Sequence, residues 1–196
     1  MSSQKPPVPL LYTASARHRI LAGLRWDVRQ DGTTLMERIR GTHIQHDLDL
    51  SCYIFDERGD YIDYVSSMAQ DSMDSTGAIY HSGDDATGEG DGDDETISCE
   101  LAGLPRGTKN LFFVCEIRSG QTFAQIANPA FRLADGMTDT NFMDTALGAD
   151  GRGEACIIAR VFRDPASPTG WNLQEILDYP ALAEVSDWGS YLTRYL

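Results

Sequence analysis

The chain has 196 residues, 41% of them hydrophobic, and a net charge of −14. This length suits one domain, and so apolar a composition fills a core, which excludes a compositionally disordered chain. The acidity excludes nucleic-acid binding through a basic face, because phosphate contacts need clustered Lys and Arg.

The chain divides into an N-terminal arm over residues 1–10, a domain over 11–180 and a tail over 181–196. The arm is rich in Pro and Ser and reads as loose. Met1 to Arg19 lacks the apolar run of a signal peptide, and no segment reaches the ~20 apolar residues of a membrane span. A cytoplasmic protein is the expectation. His18 to Val28 reads as a strand. Gln30 to His46 is polar, with a short helix expected around Leu35 to Ile39. Leu48 to Phe55 alternates: Leu48, Leu50, Cys52 and Ile54 face one way, Asp49, Ser51 and Tyr53 the other. That pattern predicts a half-buried strand. Glu57 to Asp60 is a turn, and Tyr61 to Val65 a returning strand.

Short strands are expected near Ala78 to His81 and over Thr96 to Leu101. Leu111 to Ile117 is almost wholly apolar, as for a central strand buried on both faces. Further strands follow over Ala130 to Leu133, Phe142 to Leu147, Ala155 to Phe162 and Trp171 to Leu177. Pro180 to Tyr195 reads as a helix, with Leu182, Val185, Tyr191 and Leu192 as its apolar face. The fold class is all-β: a β-sandwich of two mainly antiparallel sheets with a short C-terminal helix. Cys52, Cys99, Cys115 and Cys156 lie far apart in apolar or alternating stretches. They read as buried free thiols in a reducing compartment. His43 and His46 lack the companion Cys or His pair that a zinc finger needs.

The charge is concentrated. Gly59 to Pro105 holds 12 acids and no base, against 18 acids and 16 bases elsewhere. Seven of the twelve residues from Asp84 to Glu95 are carboxylates and three are glycines. Two like charges 4 Å apart repel by roughly 4 kcal/mol at an effective dielectric near 20. A cation among them removes that cost. Oxygen donors on a glycine-rich loop suit Ca²⁺. An EF-hand is excluded by position: Ala86 and Gly88 stand where oxygen side chains are needed, and Glu89 where glycine is required. A phosphate loop is excluded by the glycine spacing and by the carboxylates themselves.

In a strand Asp47 and Asp49 share one face at its entrance, which suits auxiliary cation ligands; two plain surface acids are the alternative reading. An aspartyl-phosphate nucleophile pair would instead follow its apolar strand. His81, beside the acidic run, is a candidate base, although a solvated or hydrogen-bonded loop histidine is the plainer reading. No Gly-x-Ser-x-Gly or Cys-His arrangement supports nucleophilic catalysis.

Four motifs in this order resemble the TerD-type domain of bacterial tellurium-resistance and general-stress proteins. They are Gly23-Leu24-Arg25-Trp26-Asp27, Asp47-Leu48-Asp49-Leu50-Ser51, the run from His81 to Glu95, and Gly120-Gln121-Thr122-Phe123-Ala124-Gln125 followed by Phe131-Arg132-Leu133. The resemblance covers roughly His18 to Tyr179. It implies two neighbouring Ca²⁺ ions in long loops at one end of the sandwich, and no enzymatic activity. By position, the implied ligands are Asp47, Asp49, Asp84, Asp85, Asp91, Asp93, Asp94 and Glu95. The implied partner is another protein of a stress-response assembly. Two alternatives stand beside it: a metal-assisted phosphoester hydrolase, and a Ca²⁺-dependent module at a membrane surface. Five departures mark this chain: Asp85 where the family usually has Asn, Arg25 where Gly is usual, a longer 30–46 stretch, an N-terminus without the usual Ser-Leu-x-Lys-Gly opening, and an end over Ala181 to Leu196 that differs from the usual short close.

Overall fold

A computed structural model describes residues 5–11, 17–28, 45–83, 92–148 and 153–196. The helix expected around Leu35 to Ile39 lies outside these residues. Eleven strands are described: β1 (Val8–Pro9), β2 (Arg19–Asp27), β3 (Leu48–Asp56), β4 (Tyr61–Val65), β5 (Ile79–His81), β6 (Glu95–Glu100), β7 (Thr108–Ile117), β8 (Ala127–Asp135), β9 (Asn141–Ala146), β10 (Ala155–Arg163) and β11 (Trp171–Asp178). They form two antiparallel sheets, ordered β1-β11-β10-β7-β3-β4 and β5-β6-β2-β8-β9.

The main core lies between the sheets. Period-2 alternation sends Ile20, Ala22, Leu24 and Trp26 of β2 inward, against Leu48, Leu50, Cys52 and Ile54 of β3. Phe113 of β7 and Phe131 of β8 meet across it, ring centroids 5.8 Å apart. All four cysteines are free and buried in this core. Cys115 and Cys156 sit directly opposite each other on β7 and β10.

The structure corrects three expectations. First, β3 is buried on both faces rather than one. Its outward Tyr53 and Phe55 join Phe112, Val114, Ala155 and Ile157 in a second cluster, covered by the C-terminal segment. Second, that segment is no continuous helix. It is a 3-10 turn (Leu182–Glu184), a short helix α1 (Trp188–Leu192) and a second 3-10 turn (Thr193–Tyr195). Asp187 explains the break: its backbone is extended, and its carboxylate caps α1 by accepting the Ser190 N–H at 2.7 Å. The expected apolar face does pack, with Tyr191 and Leu192 buried and Leu182 and Val185 partly so. Third, the arm is tied down at its end. Val8 and Pro9 pair with β11, and Leu10 is fully buried. Proline fits this edge strand, which needs few ladder donors.

Candidate metal centre

One end of the sandwich gathers the described parts of the four motifs. β3 begins there just after Asp47, β6 begins at Glu95, β2 ends past Trp26, and β7 ends before Arg118. Asp94 stitches β2 to the start of β6: its N–H donates to the Leu24 carbonyl at 2.8 Å, and its Oδ2 accepts the Trp26 N–H at 2.8 Å. The Trp26 indole N–H donates to the His46 carbonyl at 3.2 Å. The His46 ring meets Gln121 Oε1 at 3.1 Å, and Ser119 Oγ donates to the same oxygen at 2.7 Å. Ser119 Oγ also accepts the Asp47 N–H at 3.3 Å, and the Arg118 N–H donates to the Asp47 carbonyl at 2.9 Å. Residues distant in sequence thus form one bonded frame around Asp47.

Glu95 crosses between the sheets. β4 pairs with β3 only from Cys52 onward, so the Leu50 N–H has no β4 partner. Glu95 Oε2 accepts it at 2.7 Å. The same oxygen lies 3.3 Å from His81 Nε2, off the line a hydrogen bond needs. Both side chains are 0% exposed. Burial pushes the Glu95 carboxyl above the usual carboxylate range; the His81 and Leu50 contacts pull it back, and Asp49 adds to the rise. Glu95 Oε1 has no hydrogen-bond partner among the described residues. A buried, unpartnered carboxylate oxygen is the donor type a hard cation takes.

Asp47 and Asp49 line a pocket of about 230 Å³ with Ser67, Met68 and Arg118. Asp49 Oδ1 accepts the Ser67 hydroxyl at 2.6 Å, and its Oδ2 pairs with Arg118 Nε at 2.9 Å. Asp93 is held harder. Arg132 Nε reaches both of its oxygens, at 3.0 and 2.8 Å, and Nη2 reaches Oδ2 at 2.7 Å. Gly23 makes room for this pair, since a Cβ there would sit 2.3 Å from the Asp93 carboxylate.

Five of the eight sequence-predicted ligands are therefore described, all at this end: Asp47, Asp49, Asp93, Asp94 and Glu95. Asp84, Asp85 and Asp91 lie outside the described residues. Among the described residues no three or more His, Cys, Asp or Glu side chains are grouped to hold a metal. Asp49, Asp94 and Glu95 each already accept a hydrogen bond, and Arg132 occupies Asp93. His81 is not a solvated loop residue. It ends β5, and its Nδ1 accepts the Gly83 N–H at 3.0 Å. Its buried ring presents no base to solvent. Arg118 and Ser119 carry no signal of their own in the sequence, whereas Gln121 and Arg132 fall inside the recognised motifs.

The model of the TerD domain matches residues 6–176 of this chain. The chain belongs to the TerD domain family. It is 37% identical to tellurium resistance protein TerZ of Serratia marcescens over 129 residues, 65% of either chain. The match thus spans slightly under two thirds of TerZ. It is 28% identical to general stress protein 16U of Bacillus subtilis over 157 residues, 78% of this chain and 77% of that one. The crystal structure of a TerD homologue, SCO6318 from Streptomyces coelicolor, superposes with a TM-score of 0.68 at 18% identity. That superposition covers 91% of this chain and 96% of that one. The last likeness carries the fold alone. This TerD-domain chain is thus similar to tellurium-resistance and general-stress proteins, and among its described residues no helix is long and apolar enough to cross a membrane.

Proposed function

We propose that this TerD-domain protein binds Ca²⁺ at the end of its sandwich where Asp47, Asp49, Asp94 and Glu95 lie. The acids of the 84–91 segment complete the coordination, with room in the donor set for two ions. The bound ions hold the acidic segment in one arrangement and so form a surface that another protein of a bacterial stress response recognises. The protein is non-catalytic in this reading and works in the reducing cytoplasm, in keeping with its four unbridged thiols.

The observation that carries the reading is Glu95. A fully buried carboxylate with one oxygen on the Leu50 N–H and the other unpartnered is costly in a dry core. A cation beside it removes the cost, and Asp84, Asp85, Glu89, Asp91 and Asp94 of the same run supply further oxygen donors.

The test is thermal melting of chelator-treated protein with and without added cation. An ion that binds only the folded state stabilises it by about 2.7 kcal/mol at 100 times its dissociation constant. Ca²⁺ raises the melting temperature, and Mg²⁺ raises it less, because Mg²⁺ demands a tight octahedral shell. An unchanged melting curve in millimolar Ca²⁺ refutes the proposal.

A further inference from the structure

A second pocket, of about 400 Å³, opens on the outer face of the six-stranded sheet, where the cover provided by α1 ends. Its walls are Tyr53, Tyr61, Tyr64 and Trp188. Tyr53 stands at their centre, stacked on Tyr64 at 5.7 Å and tilted against Trp188 at 6.2 Å and Tyr61 at 6.5 Å. Its size falls in the range of small-ligand sites, about 300–1,000 Å³.

The charges in it are unbalanced for a structural reason. The register of β3 on β7 sets Asp49 directly opposite Glu116 on the same face. Like charges in that relation repel. Arg118 answers only one of them, through its 2.9 Å pair with Asp49. Glu116 makes no ion pair or side-chain hydrogen bond with the described residues. Asp187 adds a second carboxylate to the lining. Its charged form is favoured by the Ser190 N–H that it caps. Arg118 also lines the pocket, but its guanidinium is paired with Asp49 outside it, so the lining carries two carboxylates against one guanidinium that is already paired, among aromatic rings.

Aromatic faces attract cations electrostatically within about 6 Å of the ring centroid, and nearby carboxylates reinforce that attraction. An anion meets repulsion from Glu116 and Asp187, and the one guanidinium of the lining, Arg118, is already paired with Asp49. We propose that this pocket binds a small organic cation, an amine or a quaternary ammonium, with Glu116 as its counter-ion and Tyr53, Tyr61, Tyr64 and Trp188 as its cage. The proposal does not rest on the calcium reading, but Arg118 pairs with the proposed calcium ligand Asp49, so the site is tested in chelator, where that pair stays intact.

Calorimetric titration of the full chain in chelator tests this, with spermidine, tetramethylammonium and sodium benzoate as probes. At about 0.15 M salt, diffuse attraction to the acidic chain is screened. The expected result is saturable one-to-one binding of at least one cation and none of benzoate. Glu116→Gln weakens that binding by about tenfold or more, since contacts to charged groups are worth that much. Tyr61→Leu, at a residue 45% exposed, weakens it too while the fold stays intact. Absence of saturable binding by both cations overturns the proposal. So does binding of benzoate, or an unchanged affinity in Glu116→Gln. Cation binding that depends on charge alone, indifferent to Tyr61→Leu, overturns the cage.

Discussion

Glu95 of one sheet accepts the backbone N–H of Leu50 in the other, at 2.7 Å and out of contact with water. It is a polar strut between two otherwise apolar layers. Glu95→Ala orphans that N–H and costs about 1–3 kcal/mol in chelator, read by urea denaturation. Glu95→Gln keeps an acceptor and sheds a buried charge, so it recovers most of the loss. Both variants respond less to calcium than the unaltered protein. A Glu95→Ala protein as stable as the parent in chelator removes the strut from the account.

Asp93 makes a contrasting case. The acidic run predicts it as a calcium ligand, yet Arg132 grips it with three contacts, the two side chains 7% and 17% exposed. Asp93→Asn therefore destabilises the protein by about 1–3 kcal/mol without any calcium present, because it removes the charge facing a largely buried Arg132, which keeps its 2.6 Å pair with Asp139. Gly23→Ala acts on the same pair from the other side, its new Cβ colliding with the carboxylate. The two losses are less than additive in the double variant, since they share one interaction. Thermal melts of the four proteins in chelator decide it. Asp49→Asn, at an 11% exposed side chain bonded to Ser67 and Arg118, weakens the calcium response instead.

The strands were readable because alternation depends on near neighbours. Ile20, Ala22 and Leu24 declare their face within five residues. The charge argument was readable as far as it went: twelve acids without a base between Gly59 and Pro105 need compensation. What sequence proximity hides is that part of the compensation arrives through the fold, as Arg132 from β8 to Asp93 and as Arg17 and Arg19 to Glu100. The second face of β3 was hidden for the same reason. Tyr53 looks half-exposed until Trp188, at the far end of the chain, lies over it, ring centroids 6.2 Å apart. His81 ends the expected short strand and is hydrogen-bonded as expected, but its burial beside Glu95 of another strand is not legible from its neighbours in sequence.

That cover is itself testable. Trp188 is 8% exposed and touches both Tyr53 and Tyr191. Trp188→Ala removes the largest ring over the second cluster and costs about 3–5 kcal/mol. Asp187→Ala removes the cap of α1 and costs much less than the loss of the ring. Chemical denaturation followed by tyrosine fluorescence separates the two. Equal losses place the energy in the helix start rather than in the cover.

Tyr64 gives the fold an alkaline signature. Its hydroxyl donates to Asp71 Oδ2 at 2.6 Å. That hydrogen bond, then burial, then the charge of Asp71 push its phenol from 10.0 up to about 12. The folded state thus holds this proton more tightly than the unfolded chain does. The linked stability is fully present below about pH 10 and is lost as pH rises through about 12. Tyr64→Phe lowers stability at neutral pH by about 1 kcal/mol, a figure discounted for the partial exposure of the pair. The difference between the two proteins narrows across that window. Urea denaturation at neutral pH and near pH 11 measures it, with tyrosinate absorbance following the titration. A gap that stays constant between the two conditions shows that the Asp71 bond does not hold the proton.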